Sequence, residues 1–129
     1  MSKKQRKKLS DAEWELMQAV WQFSRPVTVR EVHDRLYPNG EKAYTTVQTT
    51  MNVLADKGFL KREKRGPVNF YSPLISHDEA LKLETRSLVS RIFDGSFGAL
   101  AAYLIKSGQL SDSDIEEIKR LIDHYEQKS

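Results

Sequence analysis

At 129 residues, with 30% charged and 39% hydrophobic side chains, the chain has an ordinary globular balance. It is long enough for one core or two small ones and too short for a large enzyme fold. The absence of cysteine removes disulfides, thiolate zinc sites and cysteine nucleophiles together. No apolar run reaches membrane-spanning length, and the basic N-terminus lacks the apolar segment of a secretory signal; a soluble cytoplasmic protein without membrane insertion is expected.

Charge is divided unevenly. Residues 1–75 hold 14 Lys/Arg against 8 Asp/Glu, a net of +6, whereas residues 76–129 hold 7 against 10, a net of −3. A basic first half suits contact with a polyanion and an acidic second half contact with another protein; the alternative is accidental clustering. The run Lys3-Lys4-Gln5-Arg6-Lys7-Lys8 marks residues 1–8 as a basic flexible tail, able to reach phosphates or a minor groove, or else merely solubilising.

Helix starts are legible because four hydroxyl residues precede an acid by three positions: Ser10/Glu13, Thr28/Glu31, Ser76/Glu79 and, more loosely, Ser111/Asp114. Each pair reads as a capping box, and Leu9/Trp14, Val27/Val32 and Leu110/Ile115 fit the accompanying hydrophobic staple. The first helix is predicted over residues 11–23, with Trp14, Met17 and Trp21 on one stripe and Leu16 and Val20 beside it, ended by Arg25-Pro26. A short second helix follows over 29–36, with Val29, Val32 and Leu36 inward, and Pro38-Asn39-Gly40 makes a turn. The third helix runs from Tyr44 to a left-handed stop at Gly58, with Val47, Met51 and Leu54 at i, i+4 and i+7. Two β-prone segments, 59–64 and 68–71, flank Gly66-Pro67 and read as a hairpin.

The third helix turns Thr45, Thr49, Asn52 and Asp56 away from its apolar stripe, with Gln48 beside them. That face is rich in hydrogen-bonding groups and uncharged near its start, which suits a helix whose first turns meet base edges in a major groove. The alternative is that Thr45 and Gln48 form a capping box and the rest is solvated surface. Thr46, Gln48, Thr49 and Asn52 are the candidate base readers, and Gln48 and Asn52 can each pair bidentately with adenine. Arg30, Lys42, Lys57, Lys61, Arg62, Lys64 and Arg65 are the candidate phosphate contacts.

Beyond residue 75 the pattern is helical throughout. A helix over about 78–93 carries Leu81, Leu88 and Ile92 on one face and breaks at Asp94-Gly95. Phe97, Leu100, Ala101, Leu104 and Ile105 form the next stripe, ended by Gly108, and Ile115, Ile118, Ile122 and Tyr125 form the last. So small a unit has too much surface to bury three amphipathic helices alone; a twofold dimer is the economical solution, a self-contained bundle the other. Leu88, Ile92, Phe97, Leu100, Leu104, Ile115, Ile118, Ile122 and Tyr125 are the candidate dimer contacts. The expected fold is therefore mainly α with a small β-hairpin: a winged helix-turn-helix domain over 9–75 followed by a helical dimerisation domain over 76–129.

The run Thr46-Val47-Gln48-Thr49, then Met51, Leu54, Lys57-Gly58, a basic strand, Gly66 and Tyr71-Ser72-Pro73 resembles the penicillinase repressor family of bacterial winged-helix regulators. The likeness extends to Leu9-Ser10-Asp11-Ala12-Glu13-Trp14, to Asp94-Gly95-Ser96, and to Gln109-Leu110-Ser111 with Ile115-Glu116-Glu117-Ile118, covering residues 9–125. The resemblance implies a homodimer on an inverted-repeat operator in double-stranded DNA, with the third helix in the major groove and the wing on the backbone. In part of this family a membrane sensor peptidase triggers cleavage of the repressor at an Asn-Phe bond in the dimerisation region; the matching positions here are Tyr103 and Leu104. The copper-responsive branch senses metal through paired Cys-x-Cys motifs, which a chain without cysteine cannot do. Val53 stands where members of the family often carry Arg.

These readings converge on a steric repressor that is released when dimerisation is lost. The alternative is a winged-helix interaction module that never touches nucleic acid. An enzyme is not expected: His33, His77 and His124 are scattered, no nucleophile, phosphate loop or metal-ligand pair is visible, and no cofactor is implied.

Overall fold

The computed structural model describes residues 8–128; all of the basic tail except Lys8 lies outside them. The elements follow the order α1 (Asp11–Gln22), α2 (Val29–Leu36), α3 (Tyr44–Asp56), β1 (Leu60–Arg65), β2 (Val68–Pro73), α4 (His77–Ile92), α5 (Phe97–Lys106) and α6 (Asp112–Lys128).

All four capping boxes form. In the first, the Glu13 amide donates to Ser10 Oγ at 3.2 Å and the Ser10 amide to Glu13 Oε1 at 2.9 Å. Thr28/Glu31, Ser76/Glu79 and Ser111/Asp114 make the same exchange. Each hydroxyl satisfies an amide that the helix itself cannot, an arrangement that typically contributes about 1 kcal/mol. The box considered for Thr45 and Gln48 does not form, because the N-cap of α3 is Ala43, two residues earlier, and that residue provides no side-chain cap.

The core of the first half joins Leu16, Met17 and Val20 of α1, Val32 of α2, and Val47, Met51 and Leu54 of α3 to Phe59, Leu60 and Tyr71. The expected Trp14–Met17–Trp21 stripe is rotated toward its rim: Met17 is fully buried, whereas both tryptophans are half-buried, edge to face at 5.5 Å. An indole N–H needs an acceptor, and Trp21 Nε1 finds the Ile75 carbonyl at 2.9 Å.

Gly58, at φ 88°, turns the chain out of α3. Its amide donates to Ala55 O at 3.1 Å and that of Phe59 to Leu54 O at 2.9 Å, the paired bonds of a Schellman stop, with buried Phe59 as its apolar anchor. The hairpin is antiparallel, with Arg62 opposite Tyr71 and Lys64 opposite Asn69. Its two-residue loop places Gly66 at φ 62° before Pro67, the order a type II′ turn requires. Val27 exchanges both backbone bonds with Tyr71, at 2.9 and 2.7 Å, and so makes a one-residue third strand that the sequence pattern did not reveal.

The first compact unit does not end at residue 75, where the sequence pattern places the boundary; it ends at Glu84, and the second begins at Thr85. The reason lies in the first turns of α4. Ala80 is buried in the core, the His77 ring lies 4.9 Å from that of Trp21, and Glu84 Oε2 accepts from the Leu9 amide at 3.3 Å. In the second unit Val89 is buried, but neither α5 nor α6 contains a buried residue. No single helix among the described residues is long and apolar enough to cross a membrane.

Candidate nucleic-acid interface

Because Val47, Met51 and Leu54 fix which side of α3 is buried, the helical period turns Thr45, Thr46, Gln48 and Thr49 outward, and all four are exposed. Thr50, on the flank, is committed to the helix itself, donating to Thr46 O at 3.0 Å. Cations flank the start of α3. The Arg30 guanidinium lies 5.2 Å from the Tyr44 ring centre. Lys42 sits in the preceding turn, its ammonium 5.4 Å from the Tyr37 ring and its carbonyl accepting from His33 Nε2 at 2.6 Å. The uncapped first turn of α3 adds the positive end of a helix dipole to this region.

Strand alternation sorts the wing. Arg62 and Lys64 share the face of Tyr71 and Asn69, whereas Lys61, Glu63 and Arg65 take the other. Arg65 is stacked 4.7 Å from the Phe70 ring centre and lies 3.4 Å from Glu63. Lys61 and Lys64 are exposed. A cleft of about 380 Å³ bordered by Thr28, Arg30, Tyr44, Gln48, Pro67 and Asn69 brings the α2 and α3 N-termini, a base-reading candidate and the wing tip to one place.

Asn52 and Lys57, both expected site residues, are engaged within the fold. Asn52 is half-buried, and its Oδ1 accepts from Arg62 Nη1 at 2.7 Å and from Tyr71 Oη at 2.8 Å. Both acceptor positions of that oxygen are filled, so bidentate pairing with adenine has no free acceptor to use. Lys57 closes α3 by donating to Glu13 Oε1 at 2.7 Å, a partly buried ion pair, and so leaves the set of cations facing outward. Burial works to raise the Glu13 carboxyl, but hydrogen bonds from Lys57 and the Ser10 amide, with the Lys57 charge, hold it below its ordinary value.

Tyr71 entered the sequence reading only as part of the family resemblance, with no role at the site. It is almost wholly buried, and burial pushes its hydroxyl above the ordinary tyrosine range. A tyrosine at an inward strand position needs a partner for its hydroxyl, and that requirement was the available signal. The histidines do not converge: His33 braces the turn before α3, His77 packs on Trp14 and Trp21, and His124 lies beside Tyr125. Among the described residues no three His, Asp or Glu side chains gather as metal ligands would.

In the second unit the candidate dimer contacts are open or half-open. Leu88, Leu100, Ile115 and Ile118 are half-buried, while Ile92, Phe97, Leu104, Ile122 and Tyr125 are exposed, Tyr125 by 69%. Ile118, Leu121, Ile122 and Tyr125 line a shallow apolar groove along α6. Tyr103 and Leu104, the candidate cleavage pair, lie within α5, with Tyr103 57% exposed.

Three helices, a polar-faced third helix and a basic hairpin bonded back to Val27 define a winged helix-turn-helix protein. The penicillinase repressor family matches residues 9–124, and the chain belongs to that family. It is 27% identical over 120 residues to the penicillinase repressor of Bacillus licheniformis, covering 93% of each chain. It is 22% identical over 114 residues to the methicillin resistance regulatory protein MecI of Staphylococcus aureus, covering 88% of this chain and 92% of that one. Among solved structures, the DNA binding domain of the repressor BlaI superposes with a TM-score of 0.52 at 32% identity, covering 60% of this chain and 93% of the other.

Proposed function

We propose that this chain represses transcription as a homodimer seated on an inverted-repeat operator, with α3 in the major groove and the wing on the phosphate backbone. The observation that carries the reading is the outward Thr45–Thr46–Gln48–Thr49 surface between the Arg30/Lys42 cations and the Arg62/Lys64 face of the wing, on a fold shared with a repressor's DNA binding domain. Thr46, Gln48 and Thr49 then read base edges, while Arg30, Lys42, Lys61, Arg62, Lys64 and Arg65 meet phosphates.

The dimer rests on unburied apolar surface. Phe97, Ile105, Ile122 and Tyr125 are each more than half exposed, although fully burying one such side chain stabilises by about 1.5 to 3 kcal/mol. A second copy offers the same stripe to each of them. One module buries only about 600 to 1,000 Å² on DNA, so two linked modules are needed for tight, selective binding. Release follows from loss of the dimer, with a sensor peptidase cutting Tyr103–Leu104 as the candidate route. That bond lies inside a helix, so cleavage requires α5 to unwind locally.

Selection of bound duplexes from a random pool, with sedimentation of the complex, tests this reading. An inverted repeat occupied by two chains is expected; absence of any salt-dependent, sequence-selective binding would leave an interaction module instead.

A further inference from the structure

Asn52 Oδ1 joins three parts of the first unit. It lies on the third turn of α3, it accepts from Arg62 on β1, and it accepts from Tyr71 on β2. Tyr71 is itself immobilised: it is 1% exposed, and both its backbone groups are bonded to Val27 at the entry to α2. Arg62, by contrast, is exposed and on an open strand, where a long side chain would otherwise sample many rotamers. With both lone pairs of Oδ1 engaged, the amide has only its N–H donors left, on a residue that is already half-buried.

Resting on the repressor reading above, we propose that Asn52 is a positioning residue rather than a base reader. It sets the wing against the recognition helix and holds the Arg62 guanidinium where it meets a phosphate, so that the wing cation and the α3 face arrive on DNA in one register. The charge of Arg62 does the binding; the Asn52 oxygen and the Tyr71 hydroxyl decide where that charge stands. The chemistry separates this role from reading. A base-reading asparagine uses its oxygen and its amide N–H on one adenine, so replacing the amide by a carboxylate destroys the pairing and places a negative charge against adenine N7. A positioning asparagine needs only its acceptor oxygen, which aspartate retains and which an arginine prefers.

The full-length protein and the operator recovered from the random pool decide the matter. Affinities are measured for the operator, for every single-base-pair variant of it and for random DNA, across a salt series, for the parent chain, Asn52→Ala, Asn52→Asp, Arg62→Ala and the Asn52→Ala/Arg62→Ala double variant. If Asn52 positions, Asn52→Ala weakens operator and random DNA by similar factors and lowers the salt slope by about 1, as losing one phosphate contact does. Arg62→Ala then does nearly the same, and the double variant is no worse than either single one. Asn52→Asp keeps the parent's pattern of base preference at every position. If Asn52 reads, Asn52→Asp and Asn52→Ala erase preference at one base pair, a loss of about 5- to 150-fold confined to that position, and combine independently with Arg62→Ala. That result overturns the positioning role while leaving the repressor reading intact. A parent chain that selects no duplex at all overturns the repressor reading, and the positioning role with it. Thermal unfolding of each variant separates a misfolded protein from a misplaced wing.

Discussion

Lys57 Nζ lies 2.7 Å from Glu13 Oε1, joining the C-cap of α3 to the N-cap turn of α1 across 44 residues of sequence. The same carboxylate closes the Ser10 capping box. One buried acid therefore serves the start of one helix and the end of another, and the cation beside it is engaged in the fold. Lys57→Met keeps the aliphatic stem and removes the charge, leaving Glu13 nearly buried without its cation. Unfolding should become easier by about 1 to 3 kcal/mol. Salt-dependent DNA binding of the folded variant should keep the parent slope; a slope reduced by about 1 would return Lys57 to the phosphate contacts.

The same pair gives acid sensitivity with a definite sign. The folded Glu13 carboxyl titrates below its ordinary value of 4.5, so the unfolded chain takes up this proton at higher pH than the folded one. Its contribution is therefore complete above 4.5 and is lost as pH falls through the folded value. Glu31, lowered chiefly by the hydrogen bond from Arg25 and also by the Thr28 amide, acts in the same direction. Urea unfolding of the parent and of Glu13→Gln should differ most near neutral pH and converge as pH falls through the lowered Glu13 value. A gap that stayed constant across that range would mean that the Glu13 charge contributes nothing.

Legibility in the sequence followed the distance between partners. The four capping boxes were readable because hydroxyl and acid stand three residues apart, and the open face of α3 because Val47, Met51 and Leu54 repeat at the helical period. Asn52 and Lys57 looked like solvent-facing polar residues of that helix. Their partners lie 10, 19 and 44 residues away, and no local pattern encodes such pairings. The Val27–Tyr71 bridge escaped for the same reason, since one residue of strand has no periodicity. The unit boundary moved from 75 to 84 because a helix start marks local structure, whereas burial of Ala80 and capture of Glu84 by the Leu9 amide are tertiary events.

Gln48 is an exposed side chain of α3 that borders the cleft beneath the wing, and its amide offers a donor and an acceptor together. Gln48→Ala should weaken the selected operator by about 1 to 3 kcal/mol while leaving random DNA almost unaffected. Equal losses on both substrates would show that Gln48 reads nothing. Thr49→Val gives a complementary measurement: it keeps a methyl group for contact with thymine and removes only the hydroxyl, so a change in preference assigns the contact to hydrogen bonding.

The wing supplies charge without sequence information. Lys64 shares the face of Arg62 and is exposed, while Lys61 takes the opposite face beside Glu63 and Arg65. If the Arg62 face meets the backbone, Lys64→Ala should lower the salt slope by about 1 and Lys61→Ala should lower it less. Matched effects would place both faces in equivalent fields, as when the wing tip alone enters the interface.

Ile122 lies in the apolar groove of α6 and is 51% exposed, so in a single chain the carboxylate of Ile122→Asp can reach solvent. In a dimer that closes over this groove, two copies of the new carboxylate would be buried without partners, which costs far more than the lost methyl groups. Sedimentation should then report single chains at concentrations where the parent is paired. Affinity for an isolated half-site should be unchanged, because each reading head is intact, while affinity for the full inverted repeat falls by about 10² to 10⁴ as the second engagement ceases to be intramolecular. A variant that remained paired and bound the full repeat at parental strength would move the dimer contact away from α6, leaving the exposed stripe of α5, with Phe97 and Ile105, as the surface to test next.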